Sequence, residues 1–316
     1  MNYRHAFHAG NFADVHKHIV LARIVEHLKS KPAPFRVVDA HAGRGFYDLA
    51  GDEATRTAEW RGGVGRLYRD GTAEADPLPG PAEALLGPWR KAVAAVNDGV
   101  RLKHYPGSPE IARRLVRDSD RLILNELHPD DHDALSTRFS RDGRIRITAE
   151  DASACLRANL PPPERRGVTL VDPPYEVADE SRATLAALQD AHRRFATGVF
   201  CLWYPVKAQA DANAFARRAG ALGLAKMLRV ELTVRRADER VRLNGSGLLL
   251  VNPPWKLEEE IRVLLPPLAE RMSDGEARWA GGSRIEWLTG EPPVHGSKPA
   301  EKENAGPRGR GPARGG

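Results

Sequence analysis

Uninterrupted apolar runs along the chain predict strands that are buried on both faces. The clearest are VVDA, LILNE, TLVD and LLLVN, which do not alternate between apolar and polar residues. Such runs are typical of a parallel sheet that is covered by helices on both sides. The predicted strands lie at residues 35–40, 121–126, 145–149, 168–172, 198–204, 227–234, 248–252 and 285–288.

Segments with helical spacing lie between these strands. Residues 14–29 carry apolar side chains at four-residue intervals, which defines one helix face. A second helix is expected to begin at Ser108-Pro109, because serine caps a first turn and proline there removes no needed N–H. Residues 181–196 and 211–220 complete an alternation of strand and helix that predicts a doubly wound α/β fold.

One interval in this alternation is too long. After the glycine turn at 41–45, the next strand ends at Glu126, 81 residues beyond the turn. A nucleotide-binding unit usually reaches its ribose-binding acid after about 20 residues. Residues 81–96 within the gap have helical spacing. The predicted division is therefore a Rossmann-like domain at 1–47 and 106–290, with an inserted helical subdomain at 48–105.

Composition narrows the class of protein. The chain has 316 residues, of which 41% are hydrophobic and 28% charged, and its formal net charge is +6. No apolar run approaches the roughly 20 residues that a membrane span needs, and the first residues carry no hydrophobic signal region. We therefore expect a cytoplasmic protein. Its two cysteines, Cys155 and Cys201, are too few for a disulfide framework or a multi-thiolate metal site.

The segment 291–316 differs from the rest of the chain. Its 26 residues include 6 glycines and 5 prolines and almost no apolar side chains, a composition that predicts a disordered tail. Five basic and three acidic residues give the tail a net charge of +2, which leaves +4 for residues 1–290. We expect a solubilising tail, and non-specific contact of its Arg-Gly ending with nucleic acid is the alternative.

Three polar motifs follow predicted strands, at the edge where α/β sheets bind ligands. The turn at 41–45 combines His41 with glycines that let the backbone approach a nucleotide-like ligand. It lacks the third glycine of the dinucleotide fingerprint, and no P-loop motif occurs. Glu126 is placed to accept hydrogen bonds from ribose hydroxyls. Asp151 can bind the amine of an adenine ring or cap the following helix, and the spacing leaves both open.

The strand at 168–172 leads directly into Asp172-Pro173-Pro174-Tyr175. Two prolines stiffen the turn and remove two donors, which leaves the Pro173 carbonyl as a fixed acceptor. The Asp172 carboxylate and this carbonyl can bind both hydrogens of a planar amino group. Tyr175 offers a face for base stacking, worth about 1–3 kcal/mol. We interpret the motif as a catalytic centre that acts on the amino group of a base.

Two other segments suggest competing interpretations. The NPPW motif at 252–255 resembles the first Pro-Pro motif, but its Asn252 is a poorer proton acceptor and comes where edge strands are expected, so we predict a structural or substrate-side role. Four histidines near the N-terminus suggest a metal, but His16 and His18 do not share a helix face and no H-E-x-x-H motif occurs. We expect no metal there, and instead a cap over a ligand and RNA site.

Strings along most of the chain carry a family resemblance. The D-P-P-Y motif resembles that of class I S-adenosylmethionine-dependent methyltransferases that methylate base amines. More narrowly, residues 3–288 resemble the J-type 23S ribosomal RNA adenine-N6 methyltransferases. The matching strings are YRHAFHAGNFADVHKH, DAHAGRG, YPGSP, LNELHP, VDPPYE, FATG, LWYPV and VNPPWKLE. The resemblance implies a monomer with a Rossmann-like, mostly parallel seven-stranded sheet and a small helical insertion.

The resemblance also implies ligands and residue roles. The cofactor would be S-adenosyl-L-methionine, and the substrate 23S ribosomal RNA that is protein-free or in an early assembly intermediate. Asp172 would be the proton acceptor, with Pro173 and Tyr175 beside it, and Tyr3 and His5 would contact the RNA. The implied cofactor contacts are Lys17, His18, His41, Ser108, Glu126, Asp151, Ala152 and Asp172.

Two positions depart from the family pattern. Ala152 follows Asp151 where the family often has glycine, which leaves less room for a close approach of the cofactor. Phe12 stands where the family often has histidine, which further weakens the metal hypothesis. Phosphate contacts that position the RNA are expected from basic side chains. The candidates are Arg4, Lys17, Arg56, Arg61, Arg66 and Arg69.

Three other functions fit part of the sequence. A DNA adenine-N6 methyltransferase would also use the D-P-P-Y motif, although no separate DNA-recognition domain is visible. A non-catalytic nucleic-acid-binding protein, for example in DNA uptake, would bind no cofactor. A metal hydrolase would be inhibited by a chelator.

Overall fold

The protein was analysed as a computed structural model that describes residues 4–69, 72–175, 179–236, 242–274 and 281–290. The expected RNA contact Tyr3 and the tail at 291–316 lie outside the described residues. In chain order the strands are β1 (Arg36–Asp39), β2 (Phe46–Asp48), β3 (His104–Pro106), β4 (Arg121–Asn125), β5 (Ile145–Thr148), β6 (Gly167–Val171), β7 (Val199–Val206), β8 (Met227–Thr233), β9 (Gly245–Val251) and β10 (Gly282–Thr289).

Helices connect most of these strands. They are α1 (Phe12–Lys29), α2 (Asp52–Thr57), α3 (Gly80–Ala94), α4 (Ser108–Leu115), α5 (Pro129–Phe139), α6 (Ala152–Asn159), α7 (Glu180–Arg194), α8 (Gln209–Gly220) and α9 (Leu257–Met272), with short 3-10 helices at His5–Phe7, Glu59–Gly62 and Val64–Leu67. Each predicted helix is present. The cap of α4 is Gly107 rather than Ser108, which is the first helical residue. No helix within the described ranges is long and apolar enough to cross a membrane.

The main sheet has the spatial order β10-β8-β9-β7-β6-β1-β4-β5. The five strands from β7 to β5 are mutually parallel, whereas β9 is antiparallel to both β7 and β8, and β10 is antiparallel to β8. The expected α/β class is thus confirmed. The eight predicted apolar runs correspond to these eight strands, so the count of seven that the resemblance implies is one too low. The reason is β10, which pairs along β8 and satisfies backbone groups that an exposed edge would leave unpaired.

Within the long interval that precedes β4, the segment between β1 and α4 contains β2, β3, α2, α3 and two of the 3-10 helices. Strands β2 and β3 pair with each other at its two ends. Helix α3 packs against α1, α4 and α9, and its Leu86 and Trp89 belong to the same hydrophobic cluster as the sheet residues Val37 and Leu122. The inserted segment therefore shares a core with the rest of the fold, and its separation as a subdomain at 48–105 stays a prediction.

The second Pro-Pro motif lies far from the first because β9 is inverted. Strand β9 lies between β7 and β8 and runs antiparallel to both. Asn252, which follows β9, therefore lies at the opposite end of the strands from Asp172. Its placement among edge strands was wrong. Asn252 has φ +52°, and its side-chain amide donates to the carbonyls of Ala196 (2.8 Å) and Gly198 (2.9 Å). Of the two roles considered, these contacts support the structural one.

Two tryptophans provide a matched test of whether the inserted segment shares the main hydrophobic core. Trp89 is 0% exposed, whereas Trp255 in the NPPW turn is 85% exposed. Trp89→Ala should lower the free energy of unfolding by about 3–5 kcal/mol, because it leaves a cavity where α3 meets the main core. Trp255→Ala should change it by less than about 0.5 kcal/mol. Urea unfolding of both variants tests this; equal effects would show that the inserted segment does not share the core.

Candidate active site

A cavity of about 570 Å³ opens where β1, β4, β5 and β6 end, a volume in the range of small-molecule sites. We call this end of the parallel strands, where the loops that follow them meet, the carboxyl edge. The cavity brings together all the predicted site residues that the structure describes. These are His5, Lys17, His18, His41, Ser108, Glu126, Asp151, Ala152, Asp172, Pro173 and Tyr175. Their common position is observed, and what each one binds stays a prediction.

The glycine turn after β1 forms one wall of the cavity. Gly43 and Gly45 have φ values of +60° and +71°, which glycine adopts without strain. A Cβ atom on Gly43 would come within 2.4 Å of the Tyr47 hydroxyl oxygen. The Gly43 N–H donates to Glu126 Oε2 over 2.8 Å. The turn therefore needs glycine for its shape and is held by the acid that follows β4.

Asn125 connects three strand ends and was not singled out from the sequence. Its side-chain amide donates to the carbonyls of Ala40 (3.1 Å) and Glu150 (2.9 Å). Its Oδ1 accepts from the Glu150 N–H (3.0 Å) and the Thr148 hydroxyl (2.7 Å). These bonds fasten the loops after β1, β4 and β5 to one another. The sequence feature that could have indicated Asn125 is an amide residue at the end of the apolar run LILN.

The two carboxylates expected at the cofactor already accept backbone hydrogen bonds. Glu126 accepts from His128 N–H (2.7 Å) in addition to the glycine turn. Asp151 caps α6 by accepting from Ser153 N–H (2.9 Å) and Ala154 N–H (3.3 Å). The helix-cap alternative for Asp151 is thus observed. A carboxylate has about four lone-pair positions, so both side chains retain acceptor capacity toward the cavity.

Lys17 lies inside the site, between two carboxylates. Its side chain is 5% exposed, and Nζ donates to Asp14 Oδ1 (3.0 Å) and to Asp172 Oδ2. Burial acts to lower the pKa of Lys17, but the attraction of Asp172 and Asp14 outweighs it and the pKa is raised. Lys17 is therefore an ammonium. The expected contact of Lys17 with RNA phosphate is wrong, because its side chain is buried and its ammonium is already paired with two carboxylates.

Asp14 is the second carboxylate of this network. Besides Lys17, it accepts hydrogen bonds at Oδ2 from the Gly10 N–H (2.9 Å) and from His5 Nε2 (2.9 Å). Burial acts to raise the pKa of Asp14, but His5 and Lys17 hold it well below its usual value. Asp14, which lies among the N-terminal histidines that suggested a metal, thus binds a lysine. Within the described residues, no cluster of three His, Cys, Asp or Glu side chains has an arrangement that could hold a metal ion.

The two central histidines are neutral. Burial lowers the pKa of His18 to about 3 and that of His41 to about 4. His18 Nδ1 is hydrogen-bonded to the Tyr105 hydroxyl at 2.9 Å. The Asp172 backbone N–H donates to His41 Nδ1 over 3.2 Å, so this nitrogen is an acceptor and the proton of the neutral ring is on Nε2. His41 thereby fixes the backbone at Asp172.

Tyr175 forms a rigid aromatic wall. Its φ is +51°, a conformation that costs a residue with a side chain about 1–2 kcal/mol. Its hydroxyl donates to the Trp203 carbonyl over 3.0 Å, and the two rings meet edge to face with centroids 5.6 Å apart. Burial raises the pKa of Tyr175. The hydroxyl is an anchor, so the ring face is the part available to a ligand. Trp203, which also lines the cavity, was visible beforehand only as part of the string LWYPV.

The residues at the carboxyl edge fit a nucleoside cofactor. Glycines with positive φ allow close backbone approach after β1, Glu126 and Asp151 present acceptors after β4 and β5, and the negative charges around Lys17 suit a cationic group. This fold and this site together define a class I methyltransferase with an acidic Asp-Pro-Pro-Tyr centre.

Comparison with known proteins identifies the family within this class. Residues 32–289 match the family model described as "RsmJ: Ribosomal RNA large subunit methyltransferase D, RlmJ", and the chain belongs to this family. It is similar to the Ribosomal RNA large subunit methyltransferase J of Escherichia coli K12, with 39% identity over 291 residues that cover 92% of this chain and 100% of that protein. The protein of the same name from Haemophilus influenzae is 37% identical over 293 residues, again with 92% and 100% coverage.

A solved structure shares the fold of this chain. The crystal structure of protein LPL1258 from Legionella pneumophila is 33% identical to this chain and superimposes with a TM-score of 0.77. The superposition covers 89% of this chain and 98% of the Legionella protein. The family model and the two relatives confirm, at the level of the family, the resemblance stated from the sequence.

Asp39 makes the stability of the site depend on pH. It ends β1, is 2% exposed and accepts from the His41 N–H (3.3 Å). Burial raises its pKa to about 6, against about 3.9 in an unfolded chain. Stability from its protonated form is complete below about pH 4 and is lost as the pH rises through 6.

Asp39→Asn cannot ionise, so the variant should gain stability relative to the wild type as the pH rises. The difference in the free energy of unfolding should shift by about 2–3 kcal/mol in favour of the variant between pH 4 and pH 8. Urea unfolding at several pH values measures this difference. A difference that does not change with pH would contradict the raised pKa.

Proposed function

We propose that this protein transfers the methyl group of S-adenosyl-L-methionine to the exocyclic N6 of a specific adenine in 23S ribosomal RNA. The observation that carries the proposal is the Asp172-Pro173-Pro174-Tyr175 turn at the end of central strand β6, which faces the same cavity as the glycine turn. The family and the names of the relatives support ribosomal RNA as the substrate class. We also propose that the protein acts as a cytoplasmic monomer on protein-free RNA or an early assembly intermediate.

The cofactor, when bound, supplies an electrophilic methyl group on a positively charged sulfur. We assign Glu126 to its ribose hydroxyls and Asp151 with Ala152 to the two sides of its adenine ring. We assign His41 to its methionine part and Ser108 to a further contact with the cofactor. Lys17 and His18 complete the proposed cofactor contacts. The ammonium of Lys17 also donates a hydrogen bond to Asp172. His5 and Tyr3 are assigned to the RNA.

The residues after β6 make the adenine amine reactive. Its nitrogen lone pair is delocalised into the ring, so hydrogen bonds from N6–H to the Asp172 carboxylate and the Pro173 carbonyl help to localise it. Lys17 binds Asp172 Oδ2, which leaves Oδ1 for the amine. Tyr175 stacks on the base, which must first leave its own stack. Holding the amine in line with the methyl group accounts for most of the rate, and the amine proton leaves to Asp172 or through it to water.

Replacing Asp172 tests this function directly. Asp172→Ala should reduce methyl transfer from labelled cofactor to unmodified, protein-free 23S RNA by at least about 100-fold, because the amine loses its acceptor. Asp118→Asn removes a fully exposed carboxylate and is the control. Transfer by Asp172→Ala at the wild-type rate would overturn the mechanism.

The same preparation separates the alternatives. Faster transfer to DNA than to ribosomal RNA would favour a DNA adenine-N6 methyltransferase. Absence of S-adenosylmethionine binding in calorimetry would favour a non-catalytic nucleic-acid-binding protein, and inhibition by a chelator would favour a metal-dependent enzyme.

Two variants of Tyr175 distinguish its ring from its hydroxyl. Tyr175→Ala removes the stacking face and should raise the KM for RNA by roughly 10- to 100-fold, since base stacking contributes about 1–3 kcal/mol. Tyr175→Phe keeps the ring and loses only the bond to Trp203, so KM should rise a few-fold. Steady-state kinetics with RNA as the varied substrate measures both, and equal losses would show that the hydroxyl acts in the reaction.

A further inference from the structure

We propose that Asp14 is a positioning residue of the methyl-transfer centre, which holds Lys17 against Asp172 and gives the centre the negative charge that favours a cationic sulfonium over a neutral thioether. This inference rests on the proposed function. It assigns a role in selecting cofactor over product to a residue that does not itself contact the proposed reacting atoms.

The geometry makes Asp14 the support of Lys17. Both side chains lie on one face of α1 at i, i+3 spacing. Asn11 caps the helix by accepting from the N–H groups of Ala13 and Asp14, which fixes the first turn. Gly10 and His5 bind the other carboxylate oxygen of Asp14. Asp14 is therefore held on both sides and cannot rotate away from Lys17 without breaking these bonds.

The charges at the centre do not balance. Lys17 carries one positive charge, and its two partners, Asp14 and Asp172, are both carboxylates. One carboxylate would neutralise the ammonium, so the second leaves an excess of one negative charge in a buried place. His5 contacts Asp14, and Asp39 interacts with both Lys17 and Asp172. Both groups also contribute to the local field, so the excess of one negative charge refers to Lys17, Asp14 and Asp172 alone.

The proposed reaction changes the charge of the cofactor sulfur beside this centre. The transferring methyl would have to come within about 3–3.5 Å of the amine that Asp172 would hold, so the sulfur of a bound cofactor would lie close to Lys17, Asp14 and Asp172. A C–N bond forms as the S–C bond breaks, the electron pair returns to sulfur, and the amine proton leaves through Asp172 to water. The sulfur is positive before the step and neutral after it. An excess negative charge therefore strengthens binding of the cofactor more than binding of the product.

Calorimetry with two ligands tests the proposal. The dissociation constants of S-adenosylmethionine and S-adenosylhomocysteine are measured for the wild type and for Asp14→Asn. The ratio that expresses preference for the sulfonium should fall about tenfold in the variant, as expected for a unit charge removed at close range in a partly screened site. Binding of the neutral thioether should change much less. Asp14→Glu keeps the charge and should restore most of the preference.

A matched control removes a buried carboxylate elsewhere. Asp120 is 0% exposed and pairs with Arg117 outside the cavity. Asp120→Asn should lower stability but leave the preference for the sulfonium at its wild-type value. If circular dichroism shows that Asp14→Asn is not folded, Asp14→Ser removes the same charge, leaves room for water and carries the same prediction.

The outcomes separate two failures. If the wild type binds both ligands and the neutral Asp14 variants keep the wild-type ratio, the role of Asp14 is overturned while the proposed function stands. An equal loss for both ligands would likewise overturn it, because that is the effect of a structural residue. If the wild type binds neither ligand, the proposed function itself fails.

Discussion

The ammonium of Lys17 is the charge around which the site is assembled. Removing an ammonium from water costs several kcal/mol unless it is paired and hydrogen-bonded, and this one is almost completely buried. Asp14 from the same helix and Asp172 from the end of β6 satisfy it. The pairing brings α1 onto the carboxyl edge of the sheet. The orientation of the Asp172 carboxylate, and with it the reactive geometry, depends on this contact.

The parallel sheet supplies the second constraint. Strands β1, β4, β5 and β6 are parallel, so their following loops meet at one edge. Polar residues that are widely spaced in the chain thus line one cavity, and Asn125 fastens three of the loops together. Strand β9 shows the converse. Because it runs in the opposite direction, the similar Pro-Pro motif that follows it lies at the other end of the strands, away from the cavity.

Within the cavity, neutral and charged groups have distinct tasks. Burial keeps His41 and His18 uncharged, so they orient neighbours without adding to the local field. Tyr175 is held by its hydroxyl and presents only its ring. The carboxylates Asp14 and Asp172 and the ammonium of Lys17 carry the charge of the centre. This separation suits a reaction that requires alignment of an amine with a cationic methyl donor and little movement of protein charge.

The sequence by itself determined the α/β class, the positions of the strands and the residues that would meet in the cavity. Apolar runs and the polar residues that end them are local features, and parallel strands bring their ends together without further information. Only the tertiary structure decided that Lys17 is buried on Asp172, that β9 is inverted and that β10 pairs antiparallel with β8. Each of these depends on which distant segments come into contact. Neither periodicity nor spacing along the chain encodes the partner of a buried charge or the direction of a strand.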